Sequence, residues 1–227
     1  PRFKDDEEMI RNNVEGFKNI AELAKKNNAK LIYASSASMY GNGKVPMKEE
    51  QKKEILSMYS KSKLMMDSIA EKLFDKMHII GLRYFNVFGP REICKGRPAS
   101  MIYHLSGQIK AGKNPRIFKW GEQKRDHIYV KDAVRATILA ANAKKNGIYN
   151  VGTGIATSFN ELIKILNNAL GTNLEPEYFD MPYDKKTYQS NTQADTTKAE
   201  KFLGFKAKWA LKEGIKDYME ELKWIQN

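Results

Sequence analysis

One cysteine, Cys94, occurs in 227 residues, which excludes an internal disulfide and fits a reducing cytoplasm. Histidine is nearly as scarce. His78, His104 and His127 show no metal-ligand spacing, so no metal centre is expected. No apolar run is long enough to span a membrane and no leader pattern opens the chain, so it reads as soluble, without a membrane partner. Acidic side chains are outnumbered, 27 against 39 basic ones, for a formal net charge of +12. Of the basic residues 31 are lysine, and they form no stripe interleaved with aromatics, so nucleic acid is not expected either. A solvated lysine-rich surface explains most of the charge, and an anionic small molecule needs only a few cations in a cleft. Also missing is the glycine-rich strand-to-helix turn with which a doubly wound nucleotide-binding domain opens.

What is present is enough apolar material for a real core: 41% hydrophobic residues in a chain of 26.0 kDa, as one or two closely packed domains. Its chemistry centres on Tyr59-Ser60-Lys61-Ser62-Lys63. A tyrosine and a lysine four apart on a helix share one face. Bringing a phenol from a pKa of ~10 to ~7, where a general base works best, takes about 4 kcal/mol. One cation at ~4 Å in a medium of dielectric ~20 supplies about that much. The other Tyr-x-x-x-Lys match, Tyr40 to Lys44, runs through Gly41 and Gly43, which break a helix. Upstream, 30–34 reads as a buried strand opening into the serine-rich loop Ser35-Ser36-Ala37-Ser38, at the carboxyl end where open parallel sheets hold ligands.

The rest of the pattern alternates. Helices are expected at 6–26, from Tyr59 to about Lys76, and at 99–111, 131–143, 159–170, 195–203 and 211–225. Strands are expected at 78–83, 116–118, 125–130, 148–151 and 174–178, with a long polar loop at 84–98. Ser158 and Glu161 form a capping-box pattern. Strands alternating with helices argue for an α/β fold with a parallel sheet covered on both faces.

Strand-Ser-Ser-Ala-Ser-x-Tyr-Gly, then Tyr-Ser-Lys-Ser-Lys, then Gly-Leu-Arg-Tyr-Phe-Asn-Val-Phe-Gly-Pro-Arg (81–91) resembles the extended short-chain dehydrogenase/reductases, in that family's order and spacing. The resemblance implies a Rossmann-like doubly wound parallel sheet lacking its first βαβ units, on the order of 80 residues at ~30 per unit. A smaller substrate lobe follows. Residues 1–91 and 126–152 would belong to the cofactor domain, and 92–125 and 153–227 to the lobe. Three further stretches, Glu92 followed by Lys95-Gly96, Lys124-Arg125-Asp126, and Tyr188 through Asp195, narrow the resemblance to members that invert the sixth carbon of an ADP-linked heptose for lipopolysaccharide supply. NADP is then the implied cofactor, an ADP-sugar the substrate and a homo-oligomer the assembly. By the same matching Tyr59 and Lys95 are the acid/base pair, Lys63 tunes Tyr59 and touches the cofactor, and Ser36 holds the reacting oxygen. Asn13, Val87 and Lys95 face the cofactor. Ser38, Asn86, Arg97, His104, Phe118, Lys119, Trp120, Gly121, Arg125 and Tyr188 face the substrate.

Taken without the resemblance, Lys95 is one lysine among many, and Arg125 with Asp126 is a plain surface ion pair. Two alternatives stand beside the leading reading: a 4-epimerase or 4,6-dehydratase acting on another nucleotide sugar, and a non-catalytic binding protein of the same fold. The chain by itself, lacking the phosphate-gripping turn, is expected to be inactive.

Overall fold

Apolar side chains at Val14, Phe17 and Ala21 turn one face of the first helical stretch inward, but that stretch is not uniform. In the computed structural model, which describes residues 6–182 and 184–224, α1 (Asp6–Ile10) and α2 (Gly16–Lys26) are joined by a π-turn at Arg11–Glu15. Pro1, Tyr183 and position 225 of the expected last helix lie outside the described residues. The wide turn takes up one extra residue. Met9, not Ile10, is therefore the residue that joins Val14 in the core.

Strand β1 (Leu31–Ser36) pairs in parallel with β2 (Ile79–Tyr84), and β2 with β6 (Gly147–Val151), in register Ala34–Leu82–Tyr149. Both β2 and β6 are apolar runs buried along nearly their whole length, as a sheet covered on two sides requires. On one face α2 and α3 (Met58–Glu71) pack Phe17, Met66 and Ala70 against Tyr33 and Ile79. Against the other, α5 (Val130–Asn142) and α7 (Thr197–Leu203) bring Ala136, Ala140, Ala199 and Leu203 onto Ile80, Leu82, Tyr149 and Val151. This is the doubly covered α/β arrangement that the alternation implied.

A second group of elements departs from it. Strand β3 (Asn86–Phe88) pairs in parallel with β5 (Lys124–Tyr129), which pairs antiparallel with β7 (Ala156–Ser158). Strands β4 (Arg116–Phe118) and β8 (Glu177–Phe179) form a separate parallel pair. Helices α4 (Met101–Lys110), α6 (Phe159–Leu170) and α8 (Leu211–Trp224) close over Phe88 and Tyr129 to make a third core.

Several expectations are corrected here. Stretch 84–98 is not a plain loop: it contains β3 and a 3-10 turn at Glu92–Lys95. The strand expected at 174–178 is β8, shifted to 177–179. Helix α3 stops at Glu71 instead of running to Lys76, because the bonds from Leu73 and Lys76 fall to the residues three before them. Antiparallel β7 has no counterpart in the all-parallel expectation, since Ala156-Thr157-Ser158 carries no large apolar side chain to mark a strand. Among the described residues no helix is long and apolar enough to cross a membrane, and no group of ligating side chains could hold a metal ion.

Candidate functional site

Ser57 caps α3. Its Oγ accepts from the Ser60 amide (3.2 Å), and the Ser60 Oγ accepts from the Ser57 amide (3.1 Å). That reciprocal cap fixes Tyr59 in the first turn, and Lys63 follows one turn later. Tyr59 is 39% exposed, opening on the carboxyl edge of the sheet. There Ser36, the last residue of β1, hydrogen-bonds the phenol, donates to the Ser38 hydroxyl (3.0 Å) and accepts from the Ser38 amide (3.2 Å).

The Lys63 ammonium donates to the Ala34 carbonyl (2.8 Å) and stands 5.8 Å from the centre of the Tyr59 ring. Burial pushes the Tyr59 phenol above its usual value, and the Ser36 hydrogen bond opposes this. Burial likewise lowers Lys63, opposed by the Asp67 carboxylate one turn on. The acidified phenol expected from the sequence is therefore corrected in this arrangement. The ammonium is drawn to a carbonyl, and a low-dielectric setting disfavours both charged forms.

Next to Tyr59 opens a cavity of about 720 Å³. Seven of the residues expected at the site line it: Tyr59, Asn86, Val87, Lys95, Phe118, Arg125 and Tyr188. They come from α3, β3, the 3-10 turn, β4, β5 and the segment after β8. Arg125 is buried, and its Nη1 donates to the carbonyls of Lys124 and Ser190, both at 2.9 Å. Its guanidinium lies 5.0 Å from the centre of the Tyr188 ring, and Tyr188 meets Phe118 edge-on.

Other expected residues lie outside the lining. Asn13, in the π-turn, donates its amide to Ser62 Oγ (2.9 Å). Arg97 is exposed, and its carbonyl accepts from the His104 ring (3.2 Å). Lys119 pairs with Asp180 (3.0 Å), and Trp120 is 64% exposed against Tyr178. At Gly121, with φ of 75°, an added Cβ would fall 2.0 Å from Asn160 Oδ1. Only glycine fits that turn, so its identity follows from packing.

Asp126 does not pair with Arg125. It is fully buried on the opposite face of β5. Its carboxylate accepts from the amides of Thr153 (2.8 Å), Gly154 (2.9 Å) and Ala194 (3.0 Å) and from Thr153 Oγ1 (2.6 Å). The surface ion pair is corrected accordingly: alternation along a strand sends neighbours to opposite sides.

The same alternation returns His127 to the Arg125 side, and it lines the cavity with only 5% of its surface exposed. Its Nδ1 has no hydrogen-bond partner among the described residues. Burial, with Arg125 adding to it, brings its pKa down from 6.5 to about 3. Sequence reading missed this residue, although two-residue spacing from Arg125 was the signal. A stability effect follows. Between pH 6.5 and about 3 the unfolded chain binds a proton at His127 that the folded chain refuses. Stability is therefore lost as pH falls, by up to about 1.4 kcal/mol per pH unit from this group. His127→Phe should remove that increment, measured as a smaller difference in denaturant midpoint between pH 6.5 and pH 4. An equal loss in both proteins would contradict it.

Residues 2–152 match the model of a family described as NAD dependent epimerase/dehydratase. An ADP-L-glycero-D-manno-heptose-6-epimerase of Brachyspira hyodysenteriae is 40% identical over 222 residues, covering 94% of this chain and 70% of that protein. Among solved structures, the Helicobacter pylori ADP-L-glycero-D-manno-heptose-6-epimerase has a TM-score of 0.90 at 36% identity, covering 98% of this chain and 68% of that one. A UDP-glucose 4-epimerase of Thermotoga maritima, solved with UDP-glucose, has a TM-score of 0.90 at 30% identity, covering 99% and 73%.

Proposed function

The chain belongs to the NAD dependent epimerase/dehydratase family, and from that membership we propose that it carries the catalytic constellation of a nucleotide-sugar epimerase. Its substrate is ADP-glycero-manno-heptose, inverted at the sixth carbon with NADP, in the cytoplasm, for lipopolysaccharide core supply. What supports this reading is convergence. Seven residues spread from position 59 to 188 meet on one cavity, and among them Tyr59 and Lys95 can handle protons. The heptose epimerases of Brachyspira hyodysenteriae and Helicobacter pylori support the choice of substrate.

The residues at the sheet's carboxyl edge fit a nicotinamide dinucleotide. Lys63 is a poorly solvated ammonium whose hydrogen bond among the described residues goes to one carbonyl, leaving donors for ribose hydroxyls. Val87 would lie against the ring system. A bound nicotinamide supplies removal and return of a hydride at the sugar carbon, and the remaining work falls to this chain. Tyr59 and Lys95 exchange the hydroxyl proton, each serving one face of the planar carbonyl. Ser36 hydrogen-bonds the reacting oxygen, with Ser38 holding Ser36 in place. Arg125, its Nη1 anchored on two carbonyls, directs its fork toward diphosphate oxygens, which bidentate guanidinium contacts suit. Phe118, Asn86 and Tyr188 enclose the sugar and its linkage. Arg97, His104, Lys119, Trp120 and Gly121, outside the lining, are not assigned contacts.

The test is the full-length protein given NADP and either sixth-carbon epimer of the ADP-heptose. Interconversion is expected, and Lys95→Ala should abolish it. The Thermotoga maritima 4-epimerase, with the same TM-score, favours a second reading. Inversion at the fourth carbon of a UDP-hexose, spared by Lys95→Ala and with no reaction on the ADP-heptose, would establish that reading instead.

A further inference from the structure

Lys95 sits within a loop whose two feet are tied to one buried carboxylate. Glu92 is 3% exposed. Its Oε2 accepts from the Ser100 amide (2.7 Å), and its Oε1 from the Ser100 hydroxyl (2.8 Å) and the Gly89 amide (3.4 Å). Gly89 and Ser100 are the two feet of this loop. Ser100 also caps α4, its Oγ accepting from the Tyr103 amide (3.2 Å), so the same carboxylate ties the loop to the start of a core helix. From α8, the Tyr218 hydroxyl faces it too, and burial together with the Glu92 charge pushes that phenol well up.

Between the feet the backbone is forced tight. Arg91 takes a left-handed φ of 68° and Gly96 one of 63°. At Gly89, with φ of 154°, an added Cβ would come 2.4 Å from Val130 Cγ1. Non-glycine residues hold such conformations only where their surroundings over-determine them. Within the loop, the 3-10 turn starts at Glu92 and ends at Lys95, which enters the cavity wall. The carboxylate and the ammonium are thus carried by the first and last residues of one turn.

We propose that Glu92 is the positioning residue for Lys95: it pins both feet of the 89–100 loop and so sets where the Lys95 ammonium stands in the cavity. This presupposes that Lys95 handles the proton on one face of the substrate. A group that only strengthens the fold would affect chemistry on both faces alike, whereas a group that places Lys95 affects one. Glu92 touches neither substrate nor cofactor.

Four variants of the full-length protein carry the test: Glu92→Ala, Glu92→Gln, Lys95→Ala and Tyr59→Phe. Each is mixed, loaded with NADP, with each sixth-carbon epimer separately, and the single-turnover formation of reduced nicotinamide is followed. Lys95→Ala and Tyr59→Phe should slow opposite epimers. Glu92→Ala should slow the same epimer as Lys95→Ala, by about 10- to 100-fold, the cost of a misplacement near 1 Å. Glu92→Gln keeps an acceptor and the shape and should show the same bias more weakly, which covers the case in which the alanine variant fails to fold. Apart from turnover, the exchange of the Gly89 and Ser100 amides with solvent deuterium should quicken in both Glu92 variants, while the amides of β2 stay protected. Equal slowing of both epimers, no slowing, or unchanged exchange at those two amides overturns the role of Glu92. If Lys95→Ala itself shows no bias, the assignment of Lys95 fails and the role of Glu92 falls with it.

Discussion

Tyr59→Phe in the full-length protein is expected to lower turnover by about 10²- to 10⁴-fold, the usual worth of a positioned acid/base group. Substrate affinity should hold, because the variant keeps the ring and its place in the first turn of α3, fixed by the Ser57–Ser60 cap. What it removes is the hydroxyl that Ser36 contacts. The raised phenol carries a further consequence. As the chain stands, burial holds Tyr59 protonated at neutral pH, ready to give a proton but reluctant to accept one. Accepting requires stabilisation of the phenolate by positive charge, and in the proposed mechanism Lys63, one turn away, would supply it by turning from the Ala34 carbonyl toward the phenol. Lys63→Met should therefore lower the rate at pH 7 and let part of it return as pH rises, since hydroxide then replaces the missing cation in deprotonating the phenol. A kcat–pH profile reads both effects. Turnover in Tyr59→Phe within threefold of the parent would remove the tyrosine-centred mechanism, and a Lys63→Met profile parallel to the parent's would remove the charge coupling.

Arg83→Met should destabilise the fold by about 3–5 kcal/mol, the cost of leaving a buried charge without its partner. Arg83 is 2% exposed, and its Nε donates to Asp67 Oδ2 at 2.8 Å, with both side chains out of water. Its Nη1 donates to the Tyr40 hydroxyl and to the Glu49 carbonyl, each at 2.9 Å. Tyr33 donates to the other Asp67 oxygen (2.8 Å) and Tyr40 to Asn150 Oδ1 (2.7 Å), while the Asn150 amide donates to Glu49 Oε1 (2.8 Å). One guanidinium thus joins β2, α3, the 3-10 turn Ala37–Tyr40 after β1 and Glu49, and through Tyr40 and Glu49 the network reaches β6. At about 2–4 °C per kcal/mol for a chain of this size, the midpoint of thermal unfolding should fall by roughly 6–20 °C. The double variant Arg83→Met/Asp67→Leu should recover much of the loss, because no lone charge remains. A single variant costing under about 1 kcal/mol, or a double variant no better than the single, would show that the pair is not what holds these elements together.

The network also bears on the site, because Asp67 lies one turn beyond Lys63 and supports its charge against burial. None of this was legible beforehand. Arg83 stands at the end of the strand expected at 78–83 and Asp67 within the helix that carries Tyr59, and only the fold sets them 2.8 Å apart. Legible features were those with a period or a chemical pairing: the tyrosine and lysine one turn apart, the apolar strand at 78–83, observed as 79–84, and the alternation of helix and strand. Strand β3, inside the polar stretch 84–98, and β7, made of the small and polar Ala156-Thr157-Ser158, were not, whereas the equally short β4 was, because Ile117 and Phe118 are strand formers. The carried-over segment 118–121 divides for a physical reason. Phe118 ends β4 facing the cavity, while the next three residues turn outward to Asp180, Tyr178 and Asn160. His127 stayed hidden because Arg-Asp-His looks like a polar surface run until its positions are sorted by face.

The π-turn at Arg11–Glu15 has its own outcome for how this helix tolerates change in length. An ordinary helix advances about 100° per residue. Deleting one residue there would let regular winding resume while residues 6–9 kept their facing. A deletion two turns later would instead swing that whole leading end around by the same angle, exposing Met9 to solvent. Asn13 is held at the wide spot by Ser62, so the turn acts as a slack link fastened to the neighbouring helix at one point. Chains shortened by one residue at this place should keep their core and lose only that fastening.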